Sequence, residues 1–283
     1  MTLLTGQKPL TAIELKEILL EIKNGEKSWK EAETAVIVAS MMAHIGSTDS
    51  ELRDKLIYTR FFELIFEGQL EQDLMIELLE MALSDEFLFK GIGGNGTDSV
   101  FTRTFTTLLI ALILYSDNED NFLDAATVGN VKDKLIAYID KEVDLRGYVQ
   151  DKGWAHAAAH AADAFEELVK NRKLPQEDYP ELLDVLWNKI FISDYVYIHD
   201  EEERILIPIL QMTNQGFDFG ILEELIKTIP KMLKSRKEEI TEEEYWMLFF
   251  NSKTFLKSFY MKINGKSRFI SMQKSIENCL AEI

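Results

Sequence analysis

Apolar residues recur at three- and four-residue spacing along nearly the whole of this 283-residue chain, interrupted by only five prolines and 14 glycines. That period predicts helices throughout, each burying one face against another helix. The expected spans are 13–23, 29–44, 50–66, 72–83, 99–115, 131–142, 154–170, 179–192, 202–213, 220–233, 242–260 and 270–280. No convincing run of alternating strand residues occurs. Short turn signals, including Ser47-Thr48-Asp49, Gly93-Gly94-Asn95-Gly96 and Leu174-Pro175, separate the helices. With no long low-complexity linker, one elongated helical domain over 1–283 is expected.

A weak internal repeat refines the all-α expectation. Residues 57–65, IYTRFFELI, match residues 100–108, VFTRTFTTL, with Tyr58/Phe101, Thr59/Thr102, Arg60/Arg103 and Phe62/Phe105 in register at an offset of 43. Setting Trp154 and His156 in the Phe101 and Arg103 positions makes the next offset 53, and Arg204 follows 48 after His156. The period approximates a HEAT/armadillo-like solenoid of helical hairpins, whose repeats run to roughly 40–47 residues. In such a stack one helix per repeat lines a concave surface, and Arg60, Arg103, His156 and Arg204 become successive groove positions. The competing architecture is a compact, non-repeating helical bundle.

Charge and composition narrow the function classes. Forty-nine acidic against 31 basic side chains, a net charge of −18, repel a phosphate backbone and argue against general nucleic-acid binding. The balance shifts locally near the C-terminus. There the acidic run Glu238, Glu239, Glu242, Glu243 and Glu244 is followed by Lys253, Lys257, Lys262, Lys266, Arg268 and Lys274, as solvated faces or as a partner contact. The lone cysteine, Cys279, offers no disulfide framework and no cysteine metal cluster, which fits a reducing cytoplasm. The opening MTLLTGQKPL lacks a basic segment followed by an apolar one. The longest apolar run, 108–115, falls far short of the roughly 20 residues of a membrane span.

The segment 144–163, DLRGYVQDKGWAHAAAHAAD, concentrates half of the four histidines in an alanine-rich helix. At about 100° per residue, His156, His160 and Asp163 fall within a wedge of roughly 60°, on one helix face. Asp144, Arg146 and Tyr148 surround Gly147 in a turn that would bring opposite charges and a phenol to the mouth of that face. Two imidazoles and one carboxylate could hold a divalent metal and leave a position for water or substrate. They could equally form a metal-free pocket, or hydrogen-bond acidic residues and tie adjacent repeats together. Ala157 stands where a zinc-protease helix needs its glutamate base, so that reaction is not supported. The seven alanines between Trp154 and Phe165 would let neighbouring helices approach closely.

Two further segments carry chemistry-bearing residues. Residues 91–96, GIGGNG, satisfy G-x-G-x-x-G, yet no strand series or ribose-binding acid surrounds them, so no nicotinamide or flavin is expected; a Walker lysine is also missing. Thr97 or Asp98 could cap the following helix, and an anion there would meet free N–H groups and Arg103. Near a third helix start stand His199, Asp200, Glu201, Glu202, Glu203 and Arg204, whose carboxylates suit the positive helix end. If the fold sets that turn beside His156, Glu201 or Glu203 becomes an acid/base or a ligand. His44, closing an apolar helix, is read as a packing or helix-end histidine, and no G-x-S-x-G elbow occurs.

The segments TDSVFTRTF (97–105), DLRGYVQDKGWAHAAAHAAD (144–163) and YIHDEEER (197–204) resemble a bacterial family catalogued as domain of unknown function 2785, over about 75–240. The resemblance implies a helical fold and supplies no activity; Asp200 and Glu202 stand where the family commonly has a glycine and an aspartate. Two function classes follow. The first is a cytosolic α-solenoid that binds a protein, peptide or small anionic ligand in its groove. Its candidate contacts are Arg103, Asp144, Arg146, Tyr148, Trp154, His156, His160, Asp163, His199, Glu201, Glu203 and Arg204. The second is a hydrolase or group-transfer enzyme, metal-dependent or not, that uses the His156/His160/Asp163 face with Arg103 and Arg146 as anion-binding groups.

Overall fold

The computed structural model describes residues 4, 6–29 and 34–283, and among them the chain is all-α. Its helices are α1 (Ala12–Lys23), α2 (Thr34–Ala43), α3 (Thr59–Phe66), α4 (Gln72–Ala82), α5 (Ser99–Asp120), α6 (Ala125–Lys141), α7 (Ala157–Lys170), α8 (Tyr179–Ile190), α9 (Glu201–Asn214), α10 (Phe219–Glu239), α11 (Glu242–Ile263) and α12 (Ile270–Glu282). Residues 30–33 of the expected helix 29–44 lie outside the described residues. The expected 50–66 helix winds as a π-helix over Glu51–Tyr58 and then runs directly into α3. One short antiparallel pair, β1 (Tyr148–Val149) and β2 (Gly153–Trp154), sets Tyr148 opposite Trp154. Strands of two residues are too short to produce an alternating pattern, so periodicity could not predict them. By internal contacts the chain divides into two compact units, Met1–Lys173 and Leu174–Ile283, where the sequence suggests a single elongated domain.

The first unit is organised around α5. This helix packs on α3, α4 and α7, most extensively on α7. Ala157, Ala158, Ala159, Ala161, Ala162 and Ala164 of α7 are all buried, and their small side chains permit that close approach. Four threonines of α5 are buried too; Thr106 donates to the Thr102 carbonyl at 2.7 Å and Thr107 to that of Thr104 at 2.7 Å, so these hydroxyls are satisfied within the helix. By length and composition α5 could cross a membrane, at a mean hydropathy of 1.4. However, 89% of that apolar window is buried inside the protein, as in the core helix of a globular fold. Before α3, the chain presses so closely on α5 that a Cβ at Gly46 would lie 2.0 Å from the Thr102 hydroxyl. Asn121, left-handed at φ 54°, ends the helix.

The second unit holds α8–α12. Here α9 packs on α8 and α11, and α10 on α11 and α12. Thr241 and Glu244 form a reciprocal capping box that fixes the start of α11. The buried face of α11 carries Leu248, Phe255, Leu256, Phe259 and Ile263, and each such side chain stabilises the fold by roughly 1.5–3 kcal/mol. Asn251, Ser252 and Ser258 are the buried polar residues of α11, and Asn251 does the bracing. It accepts the Tyr197 N–H at 3.1 Å and donates to the Tyr195 carbonyl at 2.8 Å, holding the segment before α9 in place.

Candidate functional site

The chemistry-bearing residues of the first unit collect where the loop before α5, the segment after α6 and the start of α7 meet. Arg103, fully buried on α5, makes a two-pronged pair with Glu142: Nε donates to Oε2 at 2.6 Å and Nη2 to Oε1 at 2.9 Å. Its Nη1 donates to the Lys90 carbonyl at 2.7 Å and to Ser99 Oγ at 3.0 Å. Two residues beyond Glu142, the buried Asp144 accepts the Gly96 N–H at 3.0 Å and both Nε and Nη2 of Arg146 at 2.7 Å. Arg146 Nη2 also donates to the Thr97 carbonyl at 2.9 Å. The glycine-rich loop is therefore tied down by carboxylate and guanidinium on both sides. At Gly91, φ is +60° and a Cβ would meet Ser99 Oγ at 2.8 Å, which accounts for that glycine without a nucleotide.

This network corrects two expectations. Arg103 does not line an open groove, since every guanidinium nitrogen is engaged internally. Nor does the start of α5 offer a free anion site: Asp144 already supplies a carboxylate to the Gly96 N–H, and Asp98 makes no side-chain cap and pairs with Lys152 at 2.7 Å.

A second arginine, Arg53, holds the β1–β2 hairpin. It lies in the π-helical turn and is fully buried. Its Nη2 donates to the Lys152 carbonyl at 2.7 Å and its Nη1 to the Ser47 carbonyl at 2.6 Å; Nε pairs with Asp54 at 2.7 Å. The guanidinium also stacks over Phe101 and Phe105, 4.3 and 4.7 Å from the ring centroids. Burial lowers the Arg53 pKa and raises that of Asp54, against the opposing pull of their ion pair. Gly153 sits directly above. Its φ is +79°, and a Cβ there would lie 2.8 Å from Ser50 Cβ and 3.0 Å from Arg53 Nη2, so both conformation and space require glycine. Val149 completes the seat by packing on Val100, Phe101 and Ala155.

The hairpin presents an aromatic series. Tyr148 meets Trp154 edge to face at 5.1 Å, Trp154 meets His156 at 4.3 Å, His156 meets His160 at 5.7 Å and His160 meets Phe105 at 5.3 Å. Tyr148 (55% exposed) and Trp154 (38%) face solvent, while both histidines are buried. His156 does not belong to the helical face expected of it. It precedes α7 in a left-handed conformation, φ 51°, held by its N–H donating to the Arg146 carbonyl at 2.9 Å. His160 and the half-buried Asp163 remain three residues apart on α7.

In the second unit, Glu201, Glu202 and Glu203 occupy the first turn of α9, where the helix dipole favours them. The buried Glu201 accepts the His199 N–H at 2.9 Å; Glu203 pairs with Lys262 at 2.9 Å on the surface. Glu202 accepts a hydrogen bond from Ser258 at 3.1 Å, and burial raises its pKa, with Asp200 and Glu201 adding to the shift. Asp200 has φ 62°, a conformation glycine takes without strain, so the turn keeps its left-handed geometry with an aspartate in place. Arg204 is half-buried one residue beyond Glu203. Spacing and motifs did not point to Arg53 or Glu142. Only the acidic side chain two residues before Asp144 was there to be noticed, and Arg53 reaches carbonyls about a hundred residues away.

A family model described as "Protein of unknown function (DUF2785)" matches residues 88–261, more than half of the chain and all three segments that suggested the resemblance. The chain belongs to the DUF2785 family. The matched stretch holds the Arg103–Glu142 pair, the hairpin and the α9 start, whereas Arg53 lies before it. No curated protein and no solved structure shows a significant match.

Arg103→Met leaves Glu142 buried without its counter-charge, and we expect it to cost roughly 3–5 kcal/mol in urea unfolding, with Arg103→Met/Glu142→Leu recovering part of the loss. Glu202 provides a pH test of the opposite sign. A carboxyl whose folded pKa stands above its unfolded value contributes stability below the unfolded pKa, and that contribution is lost as pH rises through the folded pKa. Glu202→Gln should therefore raise the melting midpoint above the parent at about pH 8, with the two curves converging towards about pH 4.

Proposed function

We propose that this chain is a binding protein whose docking surface is the Tyr148/Trp154 hairpin, and that its target is a peptide or protein segment bearing a lysine or arginine. One observation carries the reading: two large aromatic side chains face solvent on a hairpin whose backbone is braced from below by a buried arginine. Aromatic anchors on a pre-organised support are the usual energetic centres of interfaces, because little side-chain freedom is lost on binding. Their ring faces attract cations, the exposed Asp151 at the hairpin tip adds a carboxylate, and the net charge of −18 favours a basic partner over the small anion first considered.

Stacking of alternate helices supports a HEAT/armadillo-like reading within each unit. In the first, α3 packs on α5 and α5 on α7; in the second, α9 packs on α11 and α10 on α12. A cytoplasmic setting suits the lone buried Cys279, whose thiol burial pushes up to about 11. The enzymatic alternative asked Arg103 and Arg146 to hold substrate, and both are committed to Glu142 and Asp144.

The test is binding to an array of short peptides that vary in lysine, arginine and acidic content. Basic peptides should bind, and Trp154→Ala should weaken them by at least about tenfold with little change in the urea midpoint. Indifference to Trp154→Ala and Tyr148→Ala, or preference for acidic peptides, would refute the assignment.

A further inference from the structure

A second interaction surface lies on α11, opposite the face buried in its own unit. Relative to Trp246, residues Phe250, Lys253, Lys257 and Met261 fall at about 40°, −20°, 20° and 60° around the helix, and Glu243 at about 60°. They form one stripe along the helix. Trp246 is 55% exposed, Phe250 47% and Met261 70%, and a shallow depression of about 380 Å³ runs between Trp246, Phe249, Phe250, Lys253, Thr254 and Lys257. Phe249 meets Trp246 edge to face at 5.5 Å, and the Lys253 ammonium lies 5.5 Å from the Phe249 ring, so the aromatic cluster is ordered rather than splayed. Contiguous exposed aromatics of this kind mark an interface.

The charges along the stripe identify the occupant. Glu242 and Glu243 stand exposed at the start of α11, Glu244 being taken by the capping box, and Lys253 and Lys257 stand in its second half. Acid at one end and base at the other is self-complementary when two copies lie antiparallel. From this we propose that α11 is an isologous dimer interface, with a second copy of this chain docked antiparallel about a two-fold axis at Phe250.

In that register Phe250 meets its counterpart, and residues equally far before and after it face each other. Glu243 of each copy then meets Lys257 of the other, and Trp246 lies over Thr254 between Lys253 and Lys257. Every favourable contact occurs twice, as two-fold symmetry demands. An anionic membrane would also attract the tryptophan and lysines, but Glu242 and Glu243 on the same helix oppose it.

Sedimentation of the full chain tests the proposal. The parent should show a concentration-dependent dimer that weakens with salt. Phe250→Glu should abolish it; Lys257→Glu and Glu243→Lys should each weaken it by at least about tenfold; and Lys257→Glu/Glu243→Lys should restore it. All three positions are exposed, so circular dichroism should confirm unchanged helix content. A parent that stays monomeric at all concentrations overturns the proposal, as does a dimer indifferent to these variants, or a monomer whose stripe binds phosphatidylserine vesicles instead.

Discussion

The structure of the first unit depends on a buried charge. Desolvating a guanidinium costs several kcal/mol, and the fold can carry that cost only by giving each donor a partner. Arg53 receives the nearby Ser47 carbonyl, the distant Lys152 carbonyl, one adjacent carboxylate and the faces of two phenylalanines on α5. Those partners belong to the turn before the π-helix, to the β1–β2 hairpin and to the central helix. Displacing any one of them would strand the charge, so all three are held in fixed relation. Tyr148 and Trp154 owe their presentation to that constraint, and the left-handed His156 is its continuation into α7.

Two more arginines are likewise turned inward. Arg103 and Arg146 look from sequence like groups awaiting an anionic ligand, yet each meets a carboxylate of this chain, Glu142 and Asp144. The protein supplies its own anions. The glycine-rich loop belongs to the same arrangement, since its Gly96 N–H goes to Asp144 and its shape lets Arg103 reach the Lys90 carbonyl. What faces solvent around this network is aromatic, and that shifts the functional reading from substrate anions to cationic side chains.

Much of the helical framework was legible in the sequence. The 3.6-residue period located every α-helix found among the described residues, and the alanine run between Trp154 and Phe165 anticipated the close α5–α7 packing. Local backbone geometry was not legible. A helix wheel extended back to His156 fails because residues 148–154 turn as a hairpin and His156 itself is left-handed, neither of which hydrophobic period encodes. Arg53 was missed for a different reason: the hairpin carbonyl and the α5 rings that it holds are far away in sequence, and in a helical window an arginine beside an aspartate looks like a solvated pair. Arg103 stood out but was given the wrong role, because burial of a cation depends on a carboxylate that no spacing rule connects to it.

Amide hydrogen exchange of Arg53→Met in the full chain tests the clamp most directly. The Ala155 and His156 N–H groups donate to the Gly147 and Arg146 carbonyls at 2.8 and 2.9 Å and should be protected in the parent. In the variant those amides should exchange faster by at least about tenfold, while amides in the middle of α5 and α7 keep their protection. Unchanged protection of Ala155 and His156, or an equal loss throughout α5 and α7, would contradict the view that this buried guanidinium is what positions the hairpin.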